Sequence, residues 1–314
     1  MKKSKMIIST IIILLLLGAL SACGSNEIIE NDKLTIITTL FPQYDFAREI
    51  VKDKGEVSLL LPPGVEAHSY EPTPQDIVKI RNADVFIYTS EYMEPWAVKM
   101  VKDIGSDQLK VVNLSEGLSL IESDDDHDDE HHPEADGKDP HTWLDPVYAE
   151  IMVENISDAI SEVDPINTEF YNDNAKDYME KLQVLDKNFK DVFSKTKSDT
   201  IIYGGHFAFG YFTQRYGLKH LSPYSGFSPN AEPTPNKIVE LIKKLEDLDV
   251  KVIYYEELVD PKVANIIAEA TGAKIELLHG AHNISKNELE SGITYLDIMY
   301  ENLEKLKEGL GYEE

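Results

Sequence analysis

The tetrapeptide Glu-Pro-Thr-Pro occurs twice, at residues 71–74 and 232–235, each time in the same order of elements, and this restricts the folds open to the chain. In each copy the Thr is placed to cap a helix whose first residue is the Pro. An Ile-Val pair follows in both, Ile77-Val78 and Ile238-Val239. Downstream, Val85-Phe86-Ile87-Tyr88 is matched by Val252-Ile253-Tyr254-Tyr255, and upstream Ile36-Ile37 is matched by Ile201-Ile202. Chance repeats a tetrapeptide far more readily than a whole order of elements, so the pattern predicts two similar α/β lobes.

Strands are expected at residues 34–40, 56–61, 84–89 and 110–114, alternating with helical stretches at 44–51 and from Thr73 onward. That alternation predicts a parallel sheet with helices on its faces. Between the lobes, residues 164–195 place Tyr178, Leu182, Leu185, Phe189 and Val192 at three- and four-residue steps, one face of a helix. No Gly or Pro follows Pro165 there, and thirty helical residues would span roughly 45 Å. The expected class is therefore α/β: two similar lobes, 34–163 and 197–314, each a parallel β-sheet flanked by helices, joined by one long rigid helix at 164–196. A last helix is expected to open at Ser285, where Ser285 and Glu288 form a capping-box pattern, with Leu289, Ile293, Leu296 and Leu303 on its apolar face.

The N-terminus reads as a targeting segment. Lys2, Lys3 and Lys5 precede a nearly unbroken apolar run over 6–20, short for a spanning helix and suited to a signal peptide over 1–22. It ends in Leu20-Ser21-Ala22-Cys23, similar to a bacterial lipobox. Cys23 is the single cysteine of the chain. It is thus the expected lipidation site, followed by a polar tether over 23–33, and no internal disulfide or thiolate metal site can form. The formal net charge of -27 excludes a basic surface for nucleic acid or anionic lipid. Removal of residues 1–22 takes away three lysines and makes the chain more negative still.

Residues 122–139 hold ten acids, one lysine and three histidines, His127, His131 and His132. With almost nothing apolar the segment cannot build a core. It is either a solvated insertion or a low-affinity collector of metal ions, and its imidazoles favour the collector. Four other histidines stand where a loop should leave a strand or lead into a helix: His68, His141, His206 and His282. In open parallel sheets ligands bind beyond the carboxyl ends of the strands, so two facing lobes would gather these loops into one cleft. Taken singly, each His is more readily a structural residue than a ligand. Four together favour a site for zinc, which suits imidazole and takes four ligands in a tetrahedron.

Three stretches then carry a specific likeness: His68 with Tyr70-Glu71-Pro72-Thr73-Pro74, Asp139-Pro140-His141-Thr142-Trp143-Leu144-Asp145-Pro146, and His206-Phe207-Ala208-Phe209 with Tyr216-Gly217-Leu218. The chain resembles the zinc/manganese solute-binding lipoproteins of ABC uptake systems (cluster A-I) over residues 34–310. The resemblance implies that His68, His141 and His206 are metal ligands. The family's fourth ligand is usually a carboxylate, or a water in some zinc members; here that position falls on His282, with His279 or a water as competitors. Asp145 is either a partner of His141 or the helix cap before Pro146, and the cap is favoured. Tyr70 and Trp143 either wall the cleft or pack in the core.

The leading functional reading is an extracytoplasmic protein, lipid-anchored, monomeric and not an enzyme, that delivers Zn²⁺ to an ABC permease. Three or four imidazoles favour zinc over manganese, the alternative cargo of the same class. A zinc metalloenzyme would need an open coordination position, and no His-Glu-x-x-His motif is present. An adhesin is the third reading, and nothing in the sequence discriminates it.

Overall fold

The computed structural model describes residues 33–105, 109–122, 137–224, 232–246, 248 and 250–314, of which residues 34–314 form one compact unit. The expected signal peptide, Cys23 and the acidic-loop histidines His127, His131 and His132 lie outside the described residues. Among the described residues no helix is long and apolar enough to cross a membrane.

Four strands, β1 (Leu34–Thr38), β2 (Gly55–Leu59), β3 (Val85–Tyr88) and β4 (Lys110–Asn113), form a parallel sheet in the order β2-β1-β3-β4. In the second half β5 (Thr200–Ile202) pairs in parallel with β6 (Lys219–Leu221), and β7 (Val252–Tyr255) with β8 (Lys274–Leu277). A parallel bridge between Tyr203 and Tyr254, with Gly204 N–H donating to Tyr254 O at 2.7 Å, places β5 beside β7. The resulting order, β6-β5-β7-β8, is that of the first sheet. The repeat in the sequence is thus a repeat in topology.

The inner strands β1, β3, β5 and β7 are covered on both faces, which explains their largely apolar, buried runs, whereas the edge strands are more polar and partly exposed. Side chains alternate between faces. Ile36, Val85 and Ile87 enter a central core, whereas Ile37 and Phe86 enter an outer cluster with Ile80 and Trp96. In the second lobe Ile201, Val252 and Tyr254 face the same central core, while Ile202 and Ile253 face a separate outer cluster with Leu241 and Ile267. The helices over these faces are α1 (Phe41–Val51), α2 (Pro74–Arg81), α3 (Pro95–Ile104), α4 (Pro146–Val163), α6 (Gly210–Tyr216), α7 (Pro235–Leu245) and α8 (Lys262–Thr271). Thr73 and Thr234 cap α2 and α7 by accepting the N–H of Asp76 and Lys237, as the repeated Thr-Pro requires.

The long helix α5 (Thr168–Phe193) has 26 residues, about 39 Å at 1.5 Å per residue, preceded by a single 3-10 turn over Pro165–Asn167. Its predicted face, Tyr178, Leu182, Leu185, Phe189 and Val192, is buried throughout. It packs along α4 and touches elements of both lobes. The expected single last helix is two: α9 (Lys286–Ser291) and α10 (Tyr295–Leu310). Gly292 takes φ 76° and ends the first, and a second capping box, Thr294 with Asp297, starts the next. The correction matters because the break turns Tyr295 inward.

Tyr295 ties the lobes together. Its N–H donates to Asp45 Oδ2 at 3.0 Å, and its hydroxyl donates to Trp143 O at 2.5 Å. Asp45 on α1 also accepts from Tyr178 of α5 at 3.2 Å and from Arg48 at 3.0 Å. Burial pushes the Asp45 pKa up to about 6, against the opposing pull of the Tyr295 amide and Arg48. A carboxyl raised in the folded state adds stability while protonated, and this is lost as pH rises through its folded pKa. From 3.8 to about 6 the loss is about 3 kcal/mol. Between about pH 3 and 7, wild type should therefore lose about 3 kcal/mol of unfolding free energy relative to Asp45→Asn, most of it between about pH 4 and 6. Parallel denaturant titrations of the metal-free proteins check this, and a flat difference would refute it.

Candidate metal centre

Each of the four loop histidines is delivered by a different backbone device. His68 follows β2 in a turn where Glu66 accepts the N–H groups of His68 and Ser69 at 2.7 and 2.9 Å. His141 opens the 3-10 turn Thr142–Leu144, and Asp145 caps α4 through Val147 N–H at 2.8 Å, so Asp145 serves the helix as expected. His206 follows Gly204-Gly205 at the end of β5. A Cβ on Gly204 would lie 2.5 Å from Ala264 Cα of α8, so only glycine lets the loop lie this close. His282 ends a tight turn in which Ala281 takes φ 57° and Gly280 presses against the His282 ring.

The structure brings His68, His141, His206 and His282 together, with one ligand atom of each within 4.8 Å of the others. Ring centroids lie between 4.9 and 5.8 Å apart. The Nε2 atoms of His141 and His68 are 3.3 Å apart, about the edge of a tetrahedron with bonds of ~2.0–2.1 Å to zinc. His141, His206 and His282 are buried and His68 is half-buried. Among the described residues, the buried Nε2 atoms of His206 and His282 have no hydrogen-bond partner. Lone pairs converging without partners suit a bound cation.

Three of the imidazoles are held from behind. His141 Nδ1 meets Asp139 Oδ1 at 2.7 Å, His206 Nδ1 meets Glu256 Oε2 at 2.9 Å, and His282 Nδ1 meets Glu257 Oε1 at 2.9 Å. A carboxylate on Nδ1 fixes the tautomer that leaves Nε2 as donor to a metal. Glu257 also accepts the N–H groups of Gly280 and His282 at 2.7 and 3.1 Å. Trp143 stands against His141 and His282, and its indole N–H donates to Gly280 O at 2.8 Å. Trp143 is therefore a wall of the site, whereas Tyr70 packs on Trp96 in the outer cluster.

Burial, reinforced by the facing imidazoles, holds the pKa of His68 and His141 well below the usual value, so both are neutral at pH 7. Burial also pushes Asp139 up to about 7. Burial would lower His282 too, but Glu257 overrides it and raises it. The same burial would raise Glu257, yet His279, His282 and the Gly280 amide hold it well below the carboxylate range.

His279, the expected competitor for the fourth position, lies outside the set. Its Nδ1 accepts the Ala281 N–H at 2.9 Å and sits 3.7 Å from Glu257. Sequence reasoning missed Asp139, Glu256 and Glu257. The signals were present: an Asp two residues before His141, and paired acids directly after an apolar strand.

Two α/β lobes sharing a core and a buried cluster of imidazoles define a metal-binding protein of the bilobal solute-binding class. The family model described as zinc-uptake complex component A, periplasmic (ZnuA), matches residues 36–309. The chain belongs to this family. It is 42% identical over 299 residues to the high-affinity zinc uptake system protein ZnuA of Bacillus subtilis, covering 92% of this chain and 93% of that one. It is 34% identical to the zinc-binding lipoprotein AdcA of Streptococcus pneumoniae over 98% of this chain but 61% of AdcA, so it spans about three fifths of that protein. The Zn(II)-bound ZnuA-like domain of AdcA superposes with a TM-score of 0.75 at 33% identity, covering 88% of this chain and 99% of the domain. Lmb of Streptococcus agalactiae, described as a laminin-binding protein with adhesin and metal transporting activity, matches at 0.76 and 32%, covering 88% of this chain and 99% of Lmb.

Replacing a carboxylate behind a metal-binding imidazole costs about 10–100-fold in affinity. Glu256→Gln is expected to weaken divalent-metal binding by that factor in chelator competition. A change below twofold would mean that Glu256 does not orient a ligand.

Proposed function

We propose that this chain is the zinc-capturing component of an ABC uptake system, with His68, His141, His206 and His282 as the four ligands of the transported ion. The observation that carries the reading is the convergence of four imidazoles, three of them oriented by Asp139, Glu256 and Glu257. An all-nitrogen set suits zinc and disfavours manganese, which prefers oxygen donors. Four protein ligands fill a tetrahedron and leave no position for the water that a catalytic zinc requires, so the protein binds and releases its ion and is not an enzyme.

The remaining features fit this role. Cys23 is the lipid anchor, the chain acts as a monomer on the extracytoplasmic face of the membrane, and an ABC permease receives the ion. Residues 34–163 and 197–314 are the two lobes, and 164–196 fixes their spacing. A long helix packed against both lobes favours release by loop movement over wide lobe opening. His127, His131 and His132 serve as weak collectors that raise the local ion concentration.

Metal stoichiometry and competition on the untagged chain from Asn26, with and without residues 122–138, test the reading. One tightly bound zinc should survive deletion of the acidic segment and resist excess manganese. Preference for manganese, or loss of tight binding with the segment, would overturn it.

A further inference from the structure

His68 differs from the other three imidazoles. Among the described residues no carboxylate holds its Nδ1, and it is the one half-buried member of the cluster. Its position comes instead from its loop, and that loop is fastened to the opposite lobe by Asn283, the neighbour of His282. The Asn283 side chain is fully buried. Its amide nitrogen donates to Pro62 O at 2.7 Å and to Val65 O at 2.8 Å, spending both hydrogens on the His68 loop. Its carbonyl oxygen accepts the Ile284 N–H at 2.9 Å, and Ile284 O accepts the Gly64 N–H at 2.9 Å. Next to Val65, Glu66 closes the turn that presents His68.

We infer that Asn283 is a positioning residue that couples His68 to His282 across the two lobes, and that this clamp sets how long the metal stays bound. The inference rests on the four-histidine reading. His141, His206 and His282 form a base oriented by its own carboxylates. His68 closes over it, and its loop leaves only by breaking the bonds to Asn283 and Ile284. Because Asn283 and His282 are consecutive, a displacement of the His282 turn also withdraws the donors that hold the His68 loop. The two ligands therefore let go together, one from each lobe, and movement of a few residues suffices for release.

Asn283→Asp keeps the shape of the side chain but turns both donors into an acceptor facing carbonyl oxygens; Asn283→Ala removes the clamp without adding charge. Zinc dissociation from the loaded chain is followed by rapid mixing with excess chelator, in the native background and with His68→Ala. Both Asn283 variants should release zinc about 10–100-fold faster in the native background, the range for residues that orient ligands. Neither should change the rate more than about twofold once His68 is absent, because the coupled partner is already gone. Equal acceleration in both backgrounds would show a general loosening of the fold and overturn the coupling, as would an unchanged rate in the native background. If His68→Ala alone left the dissociation rate unaltered, the assignment of His68 as a ligand would fall instead.

Discussion

Packing four imidazoles into a buried space leaves ring nitrogens facing one another without partners, and the rest of the structure is arranged around that cost. A buried polar atom without a hydrogen bond costs about 1–3 kcal/mol, and Nε2 of His206 and of His282 are both of this kind. Their other nitrogens are fully engaged by Glu256 and Glu257, so neither ring can turn away to find a partner. A cation is the partner that satisfies all the converging lone pairs at once. The cost of these unpaired acceptor nitrogens is relieved when the ion arrives, which links metal affinity to folding.

The repeated sheet order explains why the site lies between the halves and is nonetheless unequal. In each lobe the inner strands, β1 with β3 and β5 with β7, lie side by side where connections run outward in opposite directions, the place where open α/β sheets bind ligands. In the first lobe that place is filled by a closed polar network. Glu94 accepts from Thr39, Thr89 and Ser90, and Gln43 reaches Thr89. In the second lobe the equivalent loops carry His206 and the Glu256-Glu257 pair. One lobe is therefore plugged and supplies ligands from its outlying loops, while the other contributes His206 from an inner loop and His282 from the loop after edge strand β8. The shared core through Asp45, Tyr178 and Tyr295 keeps the two in fixed register.

Much of this was legible in the residues. Apolar runs marked the strands, Thr-Pro marked α2 and α7, and the spacing from Tyr178 to Val192 marked the buried face of α5. The four histidines could be chosen because each stood at a strand end or before a helix. What the sequence did not reveal was long-range. Nothing local says that Glu256 and Glu257 reach residues 25 to 50 positions away, or that Asn283 bonds a loop 218 residues upstream. The break in the last helix was readable at Gly292 and Thr294, but the apolar spacing continued across it and masked the second cap. His279 and His282 are chemically alike in sequence; only the turn at Ala281 separates them, by turning one ring toward the cluster and holding the other at the Ala281 amide.

X-ray absorption at the zinc edge of the loaded protein bears most directly on the central claim, that carboxylates orient the ligands but do not bind the ion. The account predicts a shell of four nitrogens at about 2.0–2.1 Å with the outer scattering of four imidazole rings. An oxygen in the first shell, with only three rings behind it, would contradict it and place a carboxylate or a water on the metal in place of one histidine.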